Sequence, residues 1–141
     1  TGAGLKTLFN LFNSFGSEYK NFIFVQVGLI DATAFRGSDE LEKVTRKVEF
    51  ELNRYVSLLR RHGYQAEARP LYGIDTLEEV EKEAPRIIAR YPKAHFFGGQ
   101  IVFLRRAFLS NILHNYTLFT LQKKLHKMGI TLFVLPIELG V

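Results

Sequence analysis

Apolar residues run almost unbroken through residues 21–31 (NFIFVQVGLID); on either side of that run they recur at other spacings, and the spacing assigns an element to each stretch. The run is rich in Phe, Val and Ile and lacks polar alternation, which suits the central strand of a parallel sheet, buried on both faces. Ahead of it, Leu5, Leu8, Phe9, Leu11, Phe12 and Phe15 stand at helical spacing with Lys6 the only charge among residues 4–15. That amphipathic helix either docks on the body of the domain or connects it to a membrane or a second domain. Behind the run, Ser38 or Asp39 caps a long helix striped by Leu41, Val44, Val48, Leu52, Tyr55 and Leu59, and Arg60, Arg61, His62 and Gly63 suit its C-terminal end.

Residues 64–73 alternate polar Gln65, Glu67 and Arg69 with Ala66, Ala68 and Leu71, the pattern of a half-exposed strand, and Pro70 argues for a sheet edge. Asp75 and Glu78 have capping-box spacing ahead of Leu77, Val80, Ile87, Ile88 and Tyr91; Pro85 either kinks that helix or opens a second turn, and Pro92 ends it. Residues 94–104 (AHFFGGQIVFL) read as a third strand in which Gly98 and Gly99 mark a bulge, a strand end or the close approach of another backbone. A last helix is expected over residues 107–128, closed by Gly129, with Phe108, Leu109, Ile112, Leu113 and Tyr116 well buried. Residues 131–137 form a uniformly apolar fourth strand.

The order β-α-β-α-β-α-β predicts a mainly parallel four-stranded sheet with right-handed crossovers, most simply in spatial order 2-1-3-4, within an α/β domain over residues 19–141 preceded by a connector helix over residues 1–18. That order leaves the apolar fourth strand at an edge. An exposed apolar edge is a liability, so a homodimer is expected through Thr131, Leu132, Phe133, Val134 and Leu135.

Composition narrows the classes. A chain of 141 residues, 47% hydrophobic with 13 Phe, is long and apolar enough for one real core. Without cysteine it has neither disulfides nor thiolate metal sites. No apolar run reaches the roughly 18 residues of a membrane helix. A net charge of +5 and a pI near 9.6 fit nucleic acid, an anionic membrane surface or plain solubility. The paired cations Arg60-Arg61, Arg105-Arg106 and Lys123-Lys124 stand near expected helix ends with no aromatic-interleaved motif, which weighs against nucleic acid.

Open α/β sheets take ligands at the carboxyl ends of their strands, so the candidate ligand-binding residues are Gly28, Asp31 and Thr33 after the first strand and Gly98 and Gly99 in the third. Asn111, His114 and Asn115 of the last helix join them. Asp31 could accept from a ribose hydroxyl or an exocyclic amine, or simply close its own loop as an Asx turn. His114 has no matched Asp, Ser or Cys motif, so a hydrogen-bonded structural histidine competes with a catalytic one, and no catalytic residue is assigned. His62, His95, His114 and His126 lack metal-ligand spacing, and no glycine-rich phosphate loop of the familiar kinds is present, so neither a metal nor a cofactor is expected.

Two resemblances bear on function. The motif VGLIDAT followed by a long helix ending RRHGYQAE resembles the universal stress protein family, which implies a three-layer Rossmann-like fold and dimerisation through the last strand. The phosphate loop of its ATP-binding members does not continue here, since QIVFLRRAFLSNILHN follows Gly98-Gly99 with no glycine before Gly129. Over residues 19–139, the segments YKNFIFVQVGLIDATAFRG, RRHGYQAEARPLYGID, FFGGQIVF and LHNYTLFTLQKKL, with ITLFVLPIEL after them, are similar to the soluble C-terminal extension of amino acid permeases of the amino acid, polyamine and organocation superfamily. That resemblance implies a non-catalytic regulatory or dimerisation domain on the cytoplasmic face of a membrane transporter. Its partners would be the membrane portion of that transporter and a small-molecule effector. The alternative is a free-standing universal-stress-like protein binding a nucleotide at Asp31, Thr33, Gly98 and Gly99. A small hydrolase or transferase using Asp31 and His114 is a third class, requiring those side chains within hydrogen-bond reach.

Overall fold

The computed structural model describes residues 2–16, 18–30, 38–102 and 109–138. Four helices and four strands follow one another as α1 (Gly2–Phe15), β1 (Asn21–Leu29), α2 (Ser38–Arg61), β2 (Gln65–Gly73), α3 (Thr76–Arg90), β3 (Phe96–Val102), α4 (Leu109–Lys127) and β4 (Leu132–Glu138). The molecule is a mixed α/β protein whose strands form two parallel sheets of two strands each, β1 with β2 and β3 with β4. Two of the three adjacencies in the expected order 2-1-3-4 are therefore present. The third, β1 with β3, is not among the ladders of the described residues.

Two compact units divide the chain, one of residues Ser17–Val80 and one of residues Thr1–Gly16 with Glu81–Val141, and the boundary falls inside α3. In the first, Asn21 to Leu29 lie in register with Gln65 to Gly73. Val48, Leu52, Val56 and Leu59 of α2 are buried at intervals of three and four, so one stripe of the helix covers both strands. Phe24 stacks on Tyr55 at 5.3 Å, and Gln26, the one polar residue inside β1, donates to Glu51 Oε2 of α2 at 2.5 Å. Buried polar groups persist where they are paired. β1 is nonetheless half-buried along most of its length, with only Gly28 fully covered, and β2 is its one ladder neighbour among the described residues.

The helix ends follow local chemistry. Gly63 and Gly129 adopt φ of 85° and 78°, a left-handed conformation that costs glycine little, and Tyr64 N and Ile130 N then bond back to Leu59 O and Leu125 O. Asp75 caps α3, accepting from Leu77 N at 2.9 Å and Glu78 N at 3.4 Å. α3 runs through Pro85 as one helix, which settles the choice between a kinked helix and a fresh start.

In the second unit, α1 and α4 lie on opposite faces of β3 and β4. Phe97 pairs across the ladder with Phe133, their rings 5.3 Å apart, and Phe15 of α1 meets Phe97 edge-on at 5.6 Å. Gly98, one residue on, faces the other way, and the space a Cβ would need there holds the Leu118 side chain of α4. The Gly98 position thus admits a side chain, not a second backbone. Leu118, Leu121 and Leu125 share a helix stripe with Leu121 and Leu125 buried, whereas Tyr116 is about half a turn from Leu125 and 69% exposed. This corrects the expected burial of Tyr116; Phe108 and the side chains of Leu109, Ile112 and Leu113 lie outside the described residues. On the α1 side, Leu8 and Leu11 are buried and Asn10 Nδ2 donates to Pro136 O of β4 at 2.6 Å. α1 is therefore docked on the β3–β4 sheet.

Candidate functional site

The carboxyl ends of β1 and β2 are held together by Ile30 N donating to Gly73 O at 2.9 Å. Gly28 stands opposite Tyr72 in the ladder, and a Cβ on Gly28 would lie 2.7 Å from Val44 Cγ1, 2.9 Å from Tyr72 Cδ1 and 2.9 Å from Val48 Cγ2. Two stiff β-branched side chains of α2 and an aromatic ring therefore occupy the room that glycine leaves. Gly28 serves close helix–strand packing in this arrangement. Beside it, the Tyr72 hydroxyl is buried with no hydrogen-bond partner among the described residues. The Glu79 carboxylate packs against Gly73, while Leu29 and Ile74 are exposed at the rim.

Of the candidate ligand residues, Gly28, Asp31 and Thr33 belong to the 17–80 unit and Gly98, Gly99, Asn111, His114 and Asn115 to the other. Asp31 and Thr33 lie outside the described residues. Gly99 stands opposite Leu135 in the β3–β4 ladder. In α4, His114 is exposed and Asn115 half-buried, and Asn111 occupies the turn before them. Sequence reasoning missed Tyr72. Its signal was available in register: β2 alternates, and a tyrosine opposite a strand-end glycine is aimed where the glycine makes room.

At the other end of β1, burial and then the Glu18 carboxylate raise the Tyr19 phenol above its ordinary range. No group of three or more His, Cys, Asp or Glu able to hold a metal ion occurs among the described residues. No helix among them is long and apolar enough to cross a membrane.

A concavity of about 600 Å³ lies within the other unit at the amino ends of β3 and β4, lined chiefly by Pro85, Ile88, Pro92, His95, Met128 and Phe133. Its lining exposes polar and apolar surface in nearly equal measure, and His95 meets the Phe133 ring edge-on at 5.7 Å. The rule that directs attention to the carboxyl ends of strands pointed away from it. The expected dimer residues adjoin this groove: Thr131 and Phe133 are exposed, Leu132 is buried, and Val134 and Leu135 are half-buried.

The edge of β4 also bears on self-association. Parallel ladders use alternate residues of a strand, and Pro136 has no N–H to give, so Phe133, Leu135 and Ile137 bond β3 while Leu132, Val134 and Pro136 face outward. Two of the outward carbonyls are already taken, Leu132 O by Gln122 Nε2 at 3.0 Å and Pro136 O by Asn10 Nδ2 at 2.6 Å. One helix from each face thus reaches around to cap the edge. No protein family, curated protein or solved structure matches the chain.

Proposed function

We propose that the chain is a non-catalytic regulatory domain of an amino acid permease-like membrane transporter, carried on the cytoplasmic face, with β1 and β3 adjacent in a single universal-stress-like sheet of order 2-1-3-4. The observation that supports it most is the similarity of residues 19–139 to the C-terminal extensions of such permeases. α1, with Lys6 as its only charge, takes the docked arrangement, lying on the β3–β4 sheet through Leu8 and Leu11 and bonding β4 through Asn10, and favours neither a transporter nor a free-standing protein. Were α1 also joined to a membrane portion, a displacement of the helix would reach both strands. The Tyr72 hydroxyl and the carboxyl ends of β1 and β2 are where a small effector would act, since a buried phenol without a partner gains by acquiring one. Pairing with a second copy through β4 would have to proceed beside the Asn10 and Gln122 caps, so the reading places regulation ahead of permanent dimerisation.

Membrane fractionation of the natural gene product, carrying a C-terminal epitope, tests this reading. The epitope is expected in a carbonate-resistant membrane protein and open to protease only from the cytoplasmic side. A soluble product the size of this chain would refute it.

A further inference from the structure

We infer that the end of the second unit carrying the C-termini of α3 and α4 and the amino ends of β3 and β4 is a seat for an anionic lipid surface. The charge of the chain is divided unevenly. Residues 1–16 and 81–141 hold ten Lys or Arg against three Glu, a net +7, while residues 17–80 hold nine against eleven acids, a net −2. No Asp or Glu occurs from Ala84 through Ile137. Within that stretch Arg86 is paired with Glu83 and Lys124 with Glu81, at 3.5 and 3.4 Å. Among the described residues Arg90, Lys93, Lys123 and Lys127 remain, all exposed: Arg90, over the Tyr91 ring at 5.5 Å, and Lys127 close α3 and α4, Lys93 lies just past α3, and Lys123 stands one turn before the end of α4.

Complementing helix dipoles accounts for part of this and no more. Each helix terminus brings roughly half a negative charge, so two of them offset about one of the four cations. Lys93 stands beyond the end of α3 altogether. Arg90, Lys93 and Lys127 are chain neighbours of Ala89, Pro92 and Met128, which line a concavity that exposes Met128 and Phe133, each 40% accessible. Exposed apolar side chains next to exposed cations match a bilayer interface, where the former enter the acyl boundary and the latter meet phosphate headgroups. RNA would want free stacking faces and polar readers among the cations, and the two rings in the lining, His95 and Phe133, are packed against each other at 5.7 Å with Phe97 stacked on Phe133 at 5.3 Å. A chain that never belonged to a transporter would carry the same surface, so this inference stands independently of the reading above.

Co-sedimentation of the 141-residue chain with phosphatidylcholine vesicles, and with vesicles also containing phosphatidylglycerol, tests it. Binding is expected only to the anionic vesicles and should weaken as salt is raised. The pair Lys93→Glu and Lys127→Glu should lower partitioning by about tenfold or more. The pair Lys43→Glu and Lys47→Glu, exposed on α2 and equal in charge change, should leave it nearly unchanged. Should the first pair fail to fold by circular dichroism, Lys93→Gln with Lys127→Gln and the single change Met128→Ser carry the same expectation in smaller measure. Equal binding to both vesicle types, equal losses from the two charge pairs, or tighter capture by random-sequence RNA than by anionic vesicles would each overturn the inference.

Discussion

A single hydroxyl carries the clearest energetic anomaly in the described residues. The Tyr72 ring is needed, because it lies beside Gly28 where a Cβ would otherwise sit, but its oxygen is buried without a hydrogen-bond partner. Burying a hydroxyl unpaired costs about 1–3 kcal/mol by protein mutational measures, and removing it keeps nearly all of the packing. Tyr72→Phe is therefore expected to raise the free energy of unfolding by about 1 kcal/mol in urea titration. A loss of stability of similar size would show that the hydroxyl has a partner in solution. An effector bound at this edge should reverse the sign, since the phenylalanine variant would forgo the bond that the ligand makes.

Among the elements, helices and their ends were the most legible from sequence, because their signals are local. Asp75, Gly63 and Gly129 each act through backbone groups within five residues, and all three perform the expected task. What escaped depends on partners distant in sequence: the half-burial of β1, the outward turn of Tyr116, the unpartnered Tyr72 hydroxyl and the groove at the amino ends of β3 and β4. The β4 edge belongs to the same class. Its apolar sequence, LFVLPI, announces an edge liability, while its remedy sits 126 residues away at Asn10 and 10 residues away at Gln122. Edge strands left open invite pairing with another chain. The triple variant Asn10→Ala, Gln122→Ala, Pro136→Val removes both caps and restores the missing donor. Its dimer fraction in sedimentation velocity should exceed that of the unaltered chain at equal concentration, whereas Asn13→Ala, exposed on α1, should behave as the parent does. Unchanged association in the triple variant would mean that the caps do not govern this edge.

At the scale of the molecule, the net +5 conceals a sharper imbalance, because the acids are concentrated in residues 17–80 and the cations of residues 81–141 are left largely to repel one another. Three acids among those nine cations leave most of the repulsion to be relieved by solvent and counter-ions. Self-repulsion of this kind destabilises a compact state and is screened once the Debye length, near 10 Å at 0.1 M salt, falls below the spacing of the charges. The thermal midpoint should therefore rise as sodium chloride is raised from a few millimolar to physiological strength, by about 3 °C for each kcal/mol of repulsion screened in a chain of this size. Specific anion binding would act in the same direction but would distinguish phosphate from chloride at equal ionic strength. Lys93→Glu introduces an acid into the cationic stretch and should recover part of that gain at low salt without added ions, and its salt response should be shallower than the parent's. A midpoint that is flat or falls with salt would mean that the cations are already compensated in the folded chain. The surplus positive charge would then no longer argue for an anionic surface as their partner.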